Sequence, residues 1–299
     1  MNKLKSYGPL FVIVAALLWS FDGILRRNLY SLPPSVVVFY EHLLGALLLI
    51  PFFRFWTHDL KQLSRKQWIA IAVVALFSGA LGTIFYTAAL GKVNYIQYSI
   101  VVLLQQLQPI WAIGTAALLL KERVTKRFLI WAFLALIAAY FITFKNLSVS
   151  LTQNAETAIA GLLALGAGLL WGSSTAISKY VLKDVSFLTA TALRFFLAPV
   201  FAFGLIAFLG QTSALSSLTQ AQWLNLMLIT LSTGLMALAL YYFGLKHTPA
   251  RVTTLLELVW PASAVLIDYF YFHNGLSLTQ IGGILLLLIC IRQVSRYKT

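Results

Sequence analysis

Two prolines with polar neighbours supply the first chemistry legible in this chain. A proline inside a helix removes the hydrogen bond to the carbonyl four residues earlier and bends the axis. Before Pro109 that residue is Gln105, and before Pro261 it is Glu257. Gln108 and Trp260 stand immediately ahead of the two prolines. Each kink thus pairs a freed carbonyl with a side chain able to donate, accept or carry a proton. Asp22 follows Trp19 by three residues, which puts both on one helical face. It could take a substrate amine or a proton under the aromatic ring, or simply pair with Arg26 at i+4. Glu41 lies beside His42, and Arg194 and Glu257 sit at comparable depths in their segments, so that Arg194 either pairs with Glu257 or snorkels to headgroups. Possible coupling groups are therefore Asp22, Glu257 and Arg194. Trp19, Trp171, Tyr86, Tyr241 and Trp260 offer faces for stacking on a planar ligand or its cation.

These groups matter because of what surrounds them. Of 299 residues, 60% are hydrophobic and 10% charged, against roughly 25% charged in a soluble domain. A membrane helix takes about 20 apolar residues, and ten such segments are legible near 8–27, 35–56, 67–91, 96–119, 127–145, 157–178, 186–209, 222–245, 250–272 and 278–294. A carboxylate in such a segment costs about 2.5–3.5 kcal/mol even on insertion scales, which marks it as functional by default. Asp22, counted inward from Asn28, is about 9 Å deep at 1.5 Å per residue; Glu41 reaches a similar depth.

The net charge of +14, from 22 Lys and Arg against 8 Asp and Glu, follows topology. Seventeen of the cations fall on the side that holds both termini, four on the other, and Arg194 inside a span. The positive-inside rule then makes both termini cytoplasmic. No soluble face remains for nucleic acid. The four histidines, His42, His58, His247 and His273, lack metal-ligand spacing, and no nucleophile constellation or cofactor motif is present.

The chain also repeats itself at an offset of 152 residues: Trp19 matches Trp171, Asp22 matches Ser174, His42 matches Arg194 and Pro109 matches Pro261. Between these anchors the register slips by three, pairing Tyr86 with Tyr241. A unit of five spans is odd, so the second copy enters the membrane from the opposite face. The expected fold is an all-α integral membrane protein of ten transmembrane helices in two inverted five-helix repeats, 1–150 and 151–299, joined by the polar stretch 145–157. Inverted repeats are the usual basis of alternating access around a midplane site.

The Trp-Ser and Trp-Gly pairs of the first span in each half, the run ALRFFLAP from Ala192 to Pro199, Gln108-Pro109 and the turn LKERVT from Leu120 to Thr125 together resemble the two-repeat EamA branch of the drug/metabolite transporter superfamily. The resemblance implies a cavity lined by spans 1, 3, 4, 6, 8 and 9, and export or exchange of small metabolites such as amino acids. Members often carry Glu immediately before the central prolines, where this chain has Gln108 and Trp260. The sequence therefore predicts a secondary transporter in the inner or plasma membrane, not an enzyme. Its expected partners are a small-molecule substrate, the lipid bilayer and a possible second copy of itself, with no cofactor and no metal. Candidate substrate-binding residues are Trp19, Asp22, Tyr86, Gln105, Gln108, Trp171, Ser174, Tyr241, Glu257 and Trp260, with Pro109 and Pro261 as the kinks. The alternatives are an intramembrane enzyme working through buried carboxylates and a membrane sensor or scaffold. The stripe Ala160, Ala164, Gly168, Gly172 and Ala176 predicts close helix packing.

Overall fold

The computed structural model describes residues 5–92, 98–147, 155–272 and 275–296. The join between the halves at 150/151 and His273 lie outside them. Nine helices among the described residues are long and apolar enough to cross a membrane: α1 (Gly8–Arg26), α2 (Pro34–Trp56), α3 (Arg65–Leu90), α4 (Val101–Leu119), α5 (Lys126–Thr143), α6 (Ala155–Val181), α7 (Phe187–Phe208), α8 (Gln220–His247) and α9 (Ala250–Ile267). A tenth, shorter apolar helix, α10 (Leu278–Val294), completes two sets of five. In lipid every backbone polar group must be satisfied internally, so a chain of this composition has little choice but to be helical.

Start signals recur with the repeat. Ser64 and Gln67 form a reciprocal capping box at the head of α3, and Thr219 and Gln222 form one at the head of α8. Thr125 caps α5 and Ser277 caps α10. In each case the side-chain oxygen satisfies a backbone N–H that the first helical turn leaves without a partner.

Packing follows the inverted repeat. α1 lies on α8 and α9 of the second half, and α6 lies on α3 and α4 of the first. α2 packs against α7, and α5 against α10. The small-residue stripe of α6 is fully used: a Cβ at Gly168 would sit 2.7 Å from the Gln105 carbonyl oxygen, and one at Gly172 only 2.4 Å from that of Gln108. Gly244 likewise lets α8 approach Gly8 and Val12 of α1. The last spans of the halves close on each other through Gly283, against Phe141 and the Ala138 carbonyl. Their other faces, with Ile130, Phe133, Leu285 and Leu288, are exposed. Cys290 is fully buried in the main apolar cluster.

Contacts between the connections respect a ten-span path. On one side Glu122, in the turn after α4, accepts from the backbone N–H of Ala250 at 2.7 Å and of Arg251 at 3.1 Å, capping α9. Asp59, in the turn after α2, accepts from the Ser186 N–H at 2.6 Å at the head of α7. On the other side Ser35 donates to Gln211 and Gln222 to Ser31.

Candidate functional site

Both prolines break their spans, as steric clash and the missing N–H require. The α4 segment consists of helices Tyr98–Gln105 and Gln108–Leu119, and the α9 segment of Ala250–Leu256 and Val259–Phe272. The interruptions face each other across the protein. Gln108 Nε2 donates to Glu257 Oε2 at 2.5 Å, the Tyr241 hydroxyl donates to Glu257 Oε1 at 2.9 Å, and Tyr241 shares a further bond with Thr175 at 3.0 Å. Behind Gln108 the chain continues: Gln105 Nε2 donates to Gln108 Oε1 at 3.0 Å, and Gln106 Nε2 to Gln105 Oε1 at 3.3 Å. All of these side chains are buried. Glu257 thus takes two neutral donors.

The network borders a central cavity of about 140 Å³. At the roughly 30 Å³ that a water occupies in the liquid, this volume corresponds to about five waters. Trp19, Asp22, Tyr86, Gln105, Gln108, Trp171, Ser174, Tyr241, Glu257, Trp260 and Arg194 all line it. Pro109 and Pro261 are not on its lining; each stands in the first turn of the half-helix that follows its break. The lining is wider than the resemblance implies, because α2 contributes Glu41 and His42, and α7 contributes Arg194 and Phe195. These two spans reach the cavity because α2 and α7 pack on each other close to the middle, where Gly45 leaves room for the Phe195 ring and His42 lies 5.1 Å from it.

The charged groups fall into two sets. Arg26 is clamped between carboxylates, donating through Nε to Asp22 and through Nη2 to Glu41 at 2.7 Å. Its Nη1 reaches Thr87 at 3.3 Å, and Thr233 donates to the free Asp22 oxygen at 2.8 Å. Asp22 therefore does make the i+4 pair with Arg26. Glu41 is the second half of this buried clamp, 5% exposed, a pairing across spans that sequence spacing does not show. Arg194 neither snorkels nor pairs with Glu257: it turns inward and donates from Nη2 to the Ser78 carbonyl at 3.0 Å. Among the described residues no carboxylate comes within ion-pair reach of it.

Sequence reasoning missed three features. Gln106, between Gln105 and the kink, joins the amide chain. α1 is interrupted at Ser20 and Phe21, between Gly8–Trp19 and Asp22–Arg26, with no proline to announce it. α3 and α8 each contain a π-helical segment, Ala75–Leu81 and Thr230–Met236, a form common at functional sites. Their signal was available: Ser78-Gly79 and Thr233-Gly234 recur in the slipped register, a hydroxyl residue with a glycine in the middle of an apolar span.

The EamA-like transporter family model matches residues 6–144 and again residues 158–296. The chain is 39% identical over 297 residues to the riboflavin transporter ImpX of Fusobacterium nucleatum, covering 99% of each. It is 24% identical over 255 residues to an uncharacterised transporter of Synechocystis, covering 82% of this chain and 70% of that one. A solved crystal structure with 17% sequence identity superposes with a TM-score of 0.76 over 98% of this chain and all of that one, a likeness of fold. With the family model matched twice in tandem and a relative of 39% identity named as a transporter, the chain is a membrane transporter rather than an enzyme, and it belongs to the EamA-like transporter family.

Proposed function

We propose that this protein is a secondary transporter that moves a flavin-like metabolite, a planar heteroaromatic ring with polar edges, across the cell membrane by alternating access. The two repeats, 1–150 and 151–299, act as one transport unit with both termini cytoplasmic, exporting or exchanging its substrate. The observation that carries the reading is the meeting of two interrupted helices from opposite repeats, Gln108 to Glu257, at a cavity walled by paired aromatic rings. Trp19 packs at a tilt against Tyr241 at 5.1 Å, Trp171 likewise against Tyr86 at 5.2 Å, and Trp260 stands edge-on to Tyr86 at 5.8 Å. Such faces suit a flat ring, and the amides of Gln105 and Gln108 suit its carbonyl and imide edge. The identity with a riboflavin transporter supports the same class.

Glu257 is the group best placed to couple flux to protons. Asp22 is already neutralised by Arg26, whereas Glu257 is held only by neutral donors and stands where the repeats meet. The amino-acid reading has one observation in its favour: Arg194 and Glu257, a cation and a carboxylate, both line the cavity. A second copy would find its room on the exposed faces of α5 and α10.

The test is uptake of labelled riboflavin, alongside amino acids, nucleosides, polyamines and sugars, into proteoliposomes preloaded with unlabelled substrate. The expected result is saturable riboflavin exchange whose rate follows an imposed pH gradient in the wild type and ignores it in Glu257→Gln. Flux of an amino acid without riboflavin moves the assignment to the zwitterion. Flux with the same pH response in Glu257→Gln removes that residue from coupling.

A further inference from the structure

Trp19 and Trp171 occupy equivalent places in the two repeats, and each does two things at once. The half-buried ring lines the cavity and packs at a tilt against a tyrosine. The edge crosses to the other repeat: Trp19 Nε1 donates to the Thr233 carbonyl at 2.9 Å, and Trp171 Nε1 to the Ser78 carbonyl at 3.2 Å. Thr233 lies in the π-helical segment of α8, and Ser78 in that of α3. The tyrosine it packs against follows eight residues later in the same span, Tyr241 after Thr233 and Tyr86 after Ser78. One indole therefore touches the opposite repeat at a wide turn and again two helical turns further on.

The two contacts differ in reinforcement. The Ser78 carbonyl also accepts from Arg194 Nη2 at 3.0 Å and from the Thr83 hydroxyl at 2.9 Å. No second side-chain donor reaches the Thr233 carbonyl among the described residues. Gly82 is needed on the α3 side, where a Cβ would lie 2.8 Å from Trp171 Nε1.

We propose that Trp19 and Trp171 are positioning residues that tie cavity occupancy to the wide turns of α8 and α3. A substrate packing on the indole face moves its edge, and through the N–H bond moves the wide turn of the opposite repeat with it. The N–H groups then govern the rate at which the repeats rearrange, while the ring faces govern affinity. Because the Ser78 carbonyl keeps two other donors when the indole is lost, the α3 contact is the firm one and the α8 contact the yielding one. The proposal rests on the central cavity being the transport site.

Trp19→Phe and Trp171→Phe keep an aromatic face and delete the N–H. In proteoliposome exchange of riboflavin, Trp19→Phe is expected to lower turnover at least tenfold and Trp171→Phe about threefold, each with KM within threefold of wild type. Turnover unchanged in Trp19→Phe, a larger loss in Trp171→Phe, or KM rising in step with falling turnover overturns the proposal. A second arm needs no substrate: hydrogen exchange of the purified full chain is expected to quicken at amides 230–236 in Trp19→Phe, and less at 75–81 in Trp171→Phe. Unchanged exchange in both variants also overturns it. If the wild type moves no riboflavin, the substrate assignment fails, and the exchange arm still decides whether the indoles hold the turns.

Discussion

Replacing Gly172 with alanine probes the contact on which the site depends. The added Cβ would lie 2.4 Å from the Gln108 carbonyl oxygen, 3.1 Å from Trp111 Cβ and 3.2 Å from the Ala112 nitrogen. An ordinary contact needs about 3.4 Å or more, so α6 and α4 must part by about 1 Å. The opposing atom is backbone, at the first residue of a half-helix, and no rotamer change relieves it. Overpacking costs about 1–3 kcal/mol, and a rigid opponent belongs at the top of that range. Alanine returns about 1 kcal/mol of helix propensity, leaving a loss of about 2 kcal/mol. At about 2–4 °C per kcal/mol, the thermal midpoint in detergent should fall by roughly 5 °C. The same shift draws Gln108 away from Glu257, whose bond is 2.5 Å, so transport should fall as well. Gly204→Ala is the control, since a Cβ there meets nothing within 4 Å and only the propensity gain remains. If Gly172→Ala proved as stable as Gly204→Ala and transported normally, the argument that the α6 stripe sets the spacing of the kink would be refuted.

Two further expectations concern charge. Arg26→Met leaves Asp22 and Glu41 buried side by side without their cation, a loss of about 3–5 kcal/mol. The variant should not yield monodisperse protein, whereas Asp22→Asn/Arg26→Met/Glu41→Gln, which neutralises all three, should, as size-exclusion chromatography would show. Asp59 lies outside the membrane-spanning segments, and burial alone would raise its pKa. The N–H of Ser186, the His58 ring and the hydroxyls of Ser186 and Thr189 outweigh burial and hold it at about 2, below its ordinary 3.8. The ionised form therefore stabilises the tie between the α2–α3 turn and α7 above about pH 3.8, and this contribution disappears as the pH falls towards 2. Thermal midpoints taken from pH 5 down to pH 2.5 should show that step in the wild type and lack it in Asp59→Asn.

The spans were legible because the bilayer imposes a length and a polarity that any sequence must obey. Most span boundaries agree within three residues, as where α6 runs on to Val181. The kinks were legible because proline acts through its own covalent geometry, and Gln105, Gln108 and Glu257 stand beside them in sequence. The Arg26 clamp was half legible: Asp22 is at i−4, a local relation, but Glu41 comes from another span. Arg194 was misplaced between two alternatives because its true partner is the backbone carbonyl of Ser78 in another span, and a carbonyl leaves no residue-type signature. The π-helical turns left only the faint mark of Ser78-Gly79 and Thr233-Gly234.

By itself the sequence determined what is local or periodic. It set ten apolar segments, their inverted duplication, the capping boxes that begin α3, α8 and α10, and the proline breaks, each a consequence of one stretch of chain in lipid or at its edge. The tertiary structure alone decided which polar groups meet. Glu257 finds Gln108 from across the repeat, Arg26 finds a second carboxylate, and two indoles reach carbonyls in the opposite half. Such meetings depend on how helices are rotated and spaced, and that is set by glycines such as Gly168 and Gly172 acting against neighbours distant in sequence.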